Sequence, residues 1–280
     1  MVTSTVSSTE RVLVTGSTGG VGQLTVAKLL EKGFSVRVLT RNAQKAEKMF
    51  ENQVEVVVGD ICNPSSLSAA TENISDIICC TGTTAFPSTK WDFNTLQQST
   101  GQESWVEWLK IYFDAEYRRK NANNSPEQVD AQGVSNLVAA APKTLKRFVF
   151  VSSCGVLRKD QFPYSLLNAF GVLDAKQKGE EAIIRSGLPY TIIRPGRLTD
   201  GPYTSYDLNT LLKATTGGKL GVEVGVGDKL TGQTSRIDVA AACVECLDIP
   251  ETVGQIFELV NTGVKPENGV NWKVLLSNLG

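Results

Sequence analysis

VLVTGSTGGVG, residues Val12 to Gly22, decides how this chain folds. A short apolar run breaks off at Thr15 into a turn with four glycines in seven residues. A helical pattern of apolar residues follows at once (Leu24, Val26, Ala27, Leu29, Leu30). Strand, glycine turn and helix in that order form the first half of a dinucleotide-binding βαβ unit. Gly16, Gly19, Gly20 and Gly22 let the backbone turn tightly and approach a pyrophosphate. Ser17 and Thr18 add hydroxyls, and the helix, starting near Val21, offers free N–H groups and the positive end of its dipole.

The remaining composition narrows the classes. The chain has 280 residues, 41% hydrophobic and 20% charged, with a net charge of -1. Those values suit a globular α/β protein and give no sign of a nucleic-acid binder. No apolar run approaches the roughly 20 residues that span a bilayer. Histidine is absent, which excludes Ser-His-Asp and Cys-His mechanisms and histidine metal sites, and no metal is expected. Six cysteines without a paired framework fit a reducing compartment. Cys79 and Cys80 sit in an apolar run and read as small core residues. Cys243 and Cys246 form a lone CxxC inside a helical pattern. Residues 1–10 are polar and Ser/Thr-rich, and read as a flexible tail.

Taken in order, Ser35 to Thr40 reads as a second strand. An enzyme that uses NAD commonly places an acid near the end of this strand, on the ribose 2′-OH. Here the strand ends in Thr40-Arg41-Asn42 with Lys45 close behind, and a guanidinium suits a 2′-phosphate. The expected cofactor is therefore NADP(H). Val54 to Val58 is a third strand ending in Gly59-Asp60-Ile61. Asp60 has two readings, an acceptor for the adenine amino group or a cap on the turn toward Pro64, and Ile61 stands beside it. Asp76 to Thr81 reads as a buried fourth strand that brings Thr81 and Gly82 to the cofactor.

Residues 85–126 are long for a single connection and carry Trp105, Trp108, Leu109, Tyr112, Phe113 and Tyr117 at helical spacing. This insertion reads as packing onto the domain, or as a lid or docking surface for a protein partner. A helix opens at Pro126-Glu127. Arg147 to Ser153 is a fifth strand that delivers Ser152 and Ser153 to the same edge. Residues 156–170 look irregular. From Gly171 to Ser186 a helix puts Val172, Ala175, Gly179, Ala182 and Ile183 on one face with Lys176 among them, whereas Lys178 points away. A lysine on an apolar stripe needs a partner or a function. Pro189 to Arg194 is strand six, followed by Pro195. Residues 199–234 are rich in Gly and Thr, Gln255 to Val260 is a last strand, and Trp272 to Leu279 a last helix.

The joint pattern of TGSTGGVG, TRN at Thr40, GD at Gly59, PEQVD at Pro126, RFVFVSS at Arg147 and SGLPYTIIRPGRLTDG at Ser186 resembles the short-chain dehydrogenase/reductase superfamily over nearly the whole chain. It looks most like the atypical, NmrA-like members of plants and cyanobacteria. These include the NADP-binding domain of a chloroplast import component. The resemblance implies an α/β fold: a doubly wound parallel sheet (Rossmann fold) with a small C-terminal substrate lobe. Residues 11–280 form one domain, with the insertion 85–126 and the substrate-side segments 156–170 and 195–234. It also implies a chloroplast stroma, or otherwise a cytoplasmic, setting. Gly16, Gly20 and Gly22 fit the loop of classical members, and Gly16, Gly19 and Gly22 that of extended and atypical ones. In the family's YxxxK helix, Lys176 matches the lysine that holds the nicotinamide ribose, while Val172 takes the tyrosine's place. Ser153 falls near the family's active-site serine, and Pro195 joins the cofactor set. Tyr164 is a candidate substitute acid.

Two functions follow as expectations. One is an NADP(H)-dependent oxidoreductase of atypical mechanism acting on a small organic substrate. The other is a non-catalytic NADP(H)-binding regulatory, assembly or tethering protein.

Overall fold

A computed structural model of the chain describes residues 10–93, 102–199, 208–213 and 220–279. The first βαβ unit forms where the glycine turn demands it: β1 (Arg11–Thr15), α1 (Gly20–Glu31) and β2 (Ser35–Thr40), with β1 and β2 parallel. Asn42 then caps α2 (Ala43–Phe50) by accepting from the Lys45 amide at 2.9 Å. Next come β3 (Glu55–Val58), α3 (Ser68–Thr71) and β4 (Asp76–Cys79). The insertion supplies α4 (Gln102–Phe113) and α5 (Ala115–Asn121). Beyond it lie α6 (Val134–Ala140), β5 (Arg147–Val151), α7 (Tyr164–Leu167), α8 (Val172–Ser186), β6 (Tyr190–Pro195), β7 (Arg197–Leu198) and α9 (Leu208–Leu212). The chain finishes with β8 (Gly221–Gly225), β9 (Gln233–Thr234), α10 (Arg236–Asp248), β10 (Gln255–Thr262) and α11 (Trp272–Ser277).

Eight strands make one sheet in the order β3-β2-β1-β4-β5-β6-β10-β8, parallel except for β8 at the edge. The winding reverses between β1 and β4, so a crevice opens above their carboxyl ends, where such sheets bind ligands. Two apolar layers sandwich the sheet. One joins α1, α2, α10 and α11 through Leu24, Phe50, Val239 and Leu276, and the other joins α3, α6 and α8 through Ala70, Leu137 and Ile183.

Several expectations shift. The helix foreseen at Pro126 opens as a wide π-helical turn over Glu127–Gly133 before α6 begins. Strands four and five stop earlier than read, at Cys79 and Val151, which leaves Thr81 and the two serines on loops. The segment 156–170, read as irregular, holds short helical turns including α7. The Gly/Thr-rich stretch hides β8, whose glycine ends mask its strand character. It pairs antiparallel with β10, which itself runs on to Thr262.

Candidate active site

The glycine turn has the shape a diphosphate requires. Gly16 sits at φ +67, and a Cβ there would lie 2.7 Å from the Cys80 carbonyl carbon and the Thr81 nitrogen. At Gly22 a Cβ would fall 2.1 Å from the Gly16 oxygen. A Cβ at Gly19 would come 3.1 Å from the same oxygen, while at Gly20 it would meet the flexible Arg236 side chain at 2.7 Å. The backbone therefore constrains Gly16, Gly19 and Gly22 most, which is the spacing of the extended and atypical loop. Gly19 is the N-cap of α1, and no side chain caps that end. The buried Ser17 hydroxyl has no hydrogen-bond partner among the described residues. Unclaimed donors at a helix start and an orphaned hydroxyl fit a bound phosphate group.

A cavity of about 540 Å³ opens here. It is lined by Arg41 and Lys45, Gly16 to Gly20, Gly59 to Ile61, Thr81 to Thr84, Trp91, Asn124 and Val129. Trp91 and Asn124 stand together beyond Thr84, whereas Val129 lies on the Ile61 side. Arg41 is 62% exposed, with its guanidinium 3.6 Å from the Asp60 carboxylate. The Lys45 ammonium donates to the Thr18 carbonyl at 3.3 Å. Two cations thus border the mouth beside the ribose end of β2. Asp60 accepts from the Cys62 amide at 2.9 Å and lines the cavity, while the cap on the turn at Pro64 is Asn63, which accepts from the Ser65 amide. Val21 packs inside the core behind the turn. Thr81 donates to Thr15 at 2.8 Å, locking the ends of β1 and β4 together.

Lys176 is 8% exposed, on the buried face of α8 with Val172, Ala175, Gly179 and Ile183. Its ammonium donates to the Val151 carbonyl at 2.9 Å and pairs with Asp130 at 2.9 Å. A Cβ on Gly82 would come 3.0 Å from it, so the ammonium lies directly behind the cavity wall. Lys178 points outward to Glu127. Asp130, fully buried on the π-helical turn, also accepts from the Thr83 amide at 3.1 Å and from its hydroxyl. Within PEQVD nothing in the spacing alone assigns this acid a role. The available signal was a carboxylate amid Val129, Ala131 and Val134.

The other candidates lie elsewhere. Ser152 donates to Glu180, which holds Arg194 in a two-pronged buried pair at 2.9 and 2.6 Å. Ser153 is half-buried and donates to the Cys154 carbonyl at 3.0 Å. Val172 is buried against Val156 and Leu173, with Tyr164 packed on the same cluster. The Tyr164 hydroxyl accepts from Arg158 at 3.2 Å, and burial raises its pKa. Ser153, Tyr164 and Pro195 do not line the cavity. Burial pushes the Cys62 and Cys154 thiols up to about 12, which disfavours their thiolates, and both members of the CxxC are buried in the core.

The exposed side of the insertion is unusual. Ile111, Trp108 and Tyr117 pack with Trp91, Phe93 and Phe170, which joins the insertion to the 156–170 segment. Trp105, Leu109, Tyr112 and Phe113 remain exposed on α4, Phe113 at 84%. Within 195–234, residues 200–207 and 214–219 lie outside the described residues. No helix among the described residues is long and apolar enough to cross a membrane.

Residues 16–250 match the NAD(P)H-binding family pattern. The chain is 32% identical over 266 residues to sanguinarine reductase of Eschscholzia californica, covering 91% of this chain and 89% of that protein. It is also 32% identical over 251 residues to Protein TIC 62, chloroplastic, of Arabidopsis thaliana, covering 82% of this chain but only 32% of that protein. A solved structure described as an NAD-dependent epimerase/dehydratase from Bacillus halodurans superposes with a TM-score of 0.66. It covers 96% of this chain and 100% of that one at 24% identity, which is a likeness of fold.

Proposed function

The chain belongs to the NAD(P)H-binding family, and from that premise we propose that it is an NADPH-dependent reductase of a small carbonyl or conjugated organic compound. The observation that carries this reading is the cavity, whose lining continues from the glycine turn past Gly82 and Thr84 to Trp91 and Asn124. The similarity to sanguinarine reductase over 91% of this chain supports the same class.

In this reading Gly16 to Gly22 with Ser17 and Thr18 would hold the pyrophosphate, Arg41 and Lys45 the 2′-phosphate, Asp60 and Ile61 the adenosine side, and Thr81 and Gly82 the side nearer Lys176. Bound NADPH supplies hydride. Lys176, fixed by Asp130, would hold a positive charge behind the nicotinamide ribose. Val172 carries no transferable proton and Tyr164 is held by Arg158 off the cavity, so in this reading the proton comes from water. The test is NADPH oxidation, followed at the nicotinamide absorbance, against quinones, enones and aldehydes. Turnover above the no-protein rate with one class supports the reading. No turnover with any class, while NADPH still binds, defeats it.

A second reading rests on a separate observation, the exposed face of α4 together with buried Val172. It makes the chain a non-catalytic NADP(H)-binding assembly or tethering protein, with a plastid setting, in line with its similarity to TIC 62. A protein partner that binds the wild type and fails to bind a Phe113→Glu variant, without NADPH turnover, selects this reading.

A further inference from the structure

The far end of the cavity contains a polar group that nothing in the fold uses. Three of the side chains there have their hydrogen bonds accounted for. Thr83 gives its hydroxyl to Asp130. Thr84 donates to the Phe86 carbonyl at 2.8 Å and accepts from the Trp91 indole at 3.1 Å. Trp91 is thereby satisfied. Asn124 differs: the residue is 8% exposed and lines the cavity, and the hydrogen bond that places it comes from its backbone, which leaves the carboxamide to the cavity. A carboxamide there offers two donors and an acceptor to a ligand.

Its position is fixed without the side chain. The Asn124 backbone amide donates to the Trp91 carbonyl at 2.9 Å, Asn123 donates to Asp92 at 3.1 Å, and Ala122 bridges to Phe93. Nor does Asn124 cap the turn that follows. Ser125 does that, its hydroxyl accepting from the Gln128 amide at 3.4 Å and its carbonyl from the Val129 amide at 2.9 Å. The backbone at Asn124 is thus fixed beside Trp91, and its carboxamide is left for a ligand.

We propose that Asn124 is the anchor of the substrate subsite, its amide N–H donating to the carbonyl oxygen of a ligand whose aromatic body lies beside Trp91. The choice of a carbonyl rests on the reductase reading above. Such a donor also stands where oxygen gains negative charge when a conjugated carbonyl is reduced, and it works without a transferable proton. That suits a chain with Val172 where a tyrosine would be.

The test is a binding measurement that needs no turnover. Protein saturated with NADP+ is titrated with 1,4-naphthoquinone and, separately, with naphthalene, and binding is read by saturation-transfer NMR. Wild type is expected to prefer the quinone by roughly tenfold, the value of one buried hydrogen bond. In Asn124→Leu that preference falls to about twofold or less, with NADP+ affinity within about twofold of wild type. Asn124→Ala, which adds no bulk, gives the same result, and NADP+ binding checks that both variants are folded. An unchanged preference in both variants overturns the assignment. So does a fall in NADP+ affinity as large as the fall in quinone affinity, since Asn124 would then be holding the cofactor. Discrimination with no turnover in the reductase screen removes the reductase reading and keeps the subsite. Turnover without discrimination removes the subsite and keeps the reading.

Discussion

Arg41 and Lys45 stand at the cavity mouth with only loose partners, a carboxylate at 3.6 Å and a carbonyl at 3.3 Å, so both are available to an added phosphate. A 2′-phosphate gains charge-assisted hydrogen bonds from such a pair, whereas the 2′-OH of NAD gains little. Arg41→Asp is therefore expected to weaken NADP+ by 30-fold or more (~2 kcal/mol) and to change NAD+ by less than about threefold. Calorimetric titration of both cofactors checks it, and unchanged NADP+ affinity rules out the 2′-phosphate assignment. The Lys176–Asp130 pair makes a different demand. Removing one partner leaves a buried charge uncompensated, so Asp130→Asn is expected to cost about 3–5 kcal/mol in denaturant unfolding and to loosen cofactor binding through Gly82 and Thr83. A cost below about 1 kcal/mol would mean that water reaches the Lys176 ammonium. Single residues were unevenly legible. A lysine on an apolar stripe announces its own burial, because the stripe's period is local information. Asp130 and Asn124 depend on what the chain brings against them from β4 and Trp91, and no pattern within their own segment carries that.

At the scale of elements the insertion divides into two faces. The period of its aromatic residues was readable, and it placed a helix correctly. It did not say which aromatics meet Phe93 and Phe170, because both faces of α4 are apolar. The inner face is core: Trp91 is fully buried and stacked on Phe93 at 6.3 Å. Trp91→Ala is expected to cost about 3–5 kcal/mol by thermal or chemical unfolding. The outer face bears no such load, so Trp105→Glu with Phe113→Glu is expected to change stability by no more than about 0.5 kcal/mol. It should leave NADP+ affinity unaltered while abolishing any partner binding. A large loss of stability in that double variant would show that the outer face is covered within the chain itself. The edge strand β8 shows the opposite limit, since its pairing with β10 bridges about forty intervening residues from Gly221 to Thr262 and leaves no mark in either segment.

For the molecule as a whole, the cavity lies across the point where the sheet's winding reverses. Its walls come from the β3-β2-β1 half through Asp60, Arg41 and Gly16, and from the β4-β5-β6 half through Thr81 and Thr83. Polar links across that junction include the parallel ladder of β1 with β4, continued by the Cys80 amide to the Thr15 carbonyl at 3.1 Å, the Thr81 to Thr15 hydroxyl bond, and the Asn136 carboxamide donating to the Ile61 carbonyl at 3.0 Å. A dinucleotide in the cavity touches both halves and acts as an added tie between them. Ligand that binds only the folded state at 100 times its Kd stabilises by about 2.7 kcal/mol, which for a chain of this size raises Tm by about 5–10 °C. Hydrogen exchange with NADPH bound should slow at Gly16 to Gly22 and Gly59 to Ile61 on one half, and also at Thr81 to Thr84 on the other. Protection confined to the first half would mean that only the adenosine end is held, which would leave Lys176 without its ribose and remove the physical basis for hydride delivery at the far end of the cavity.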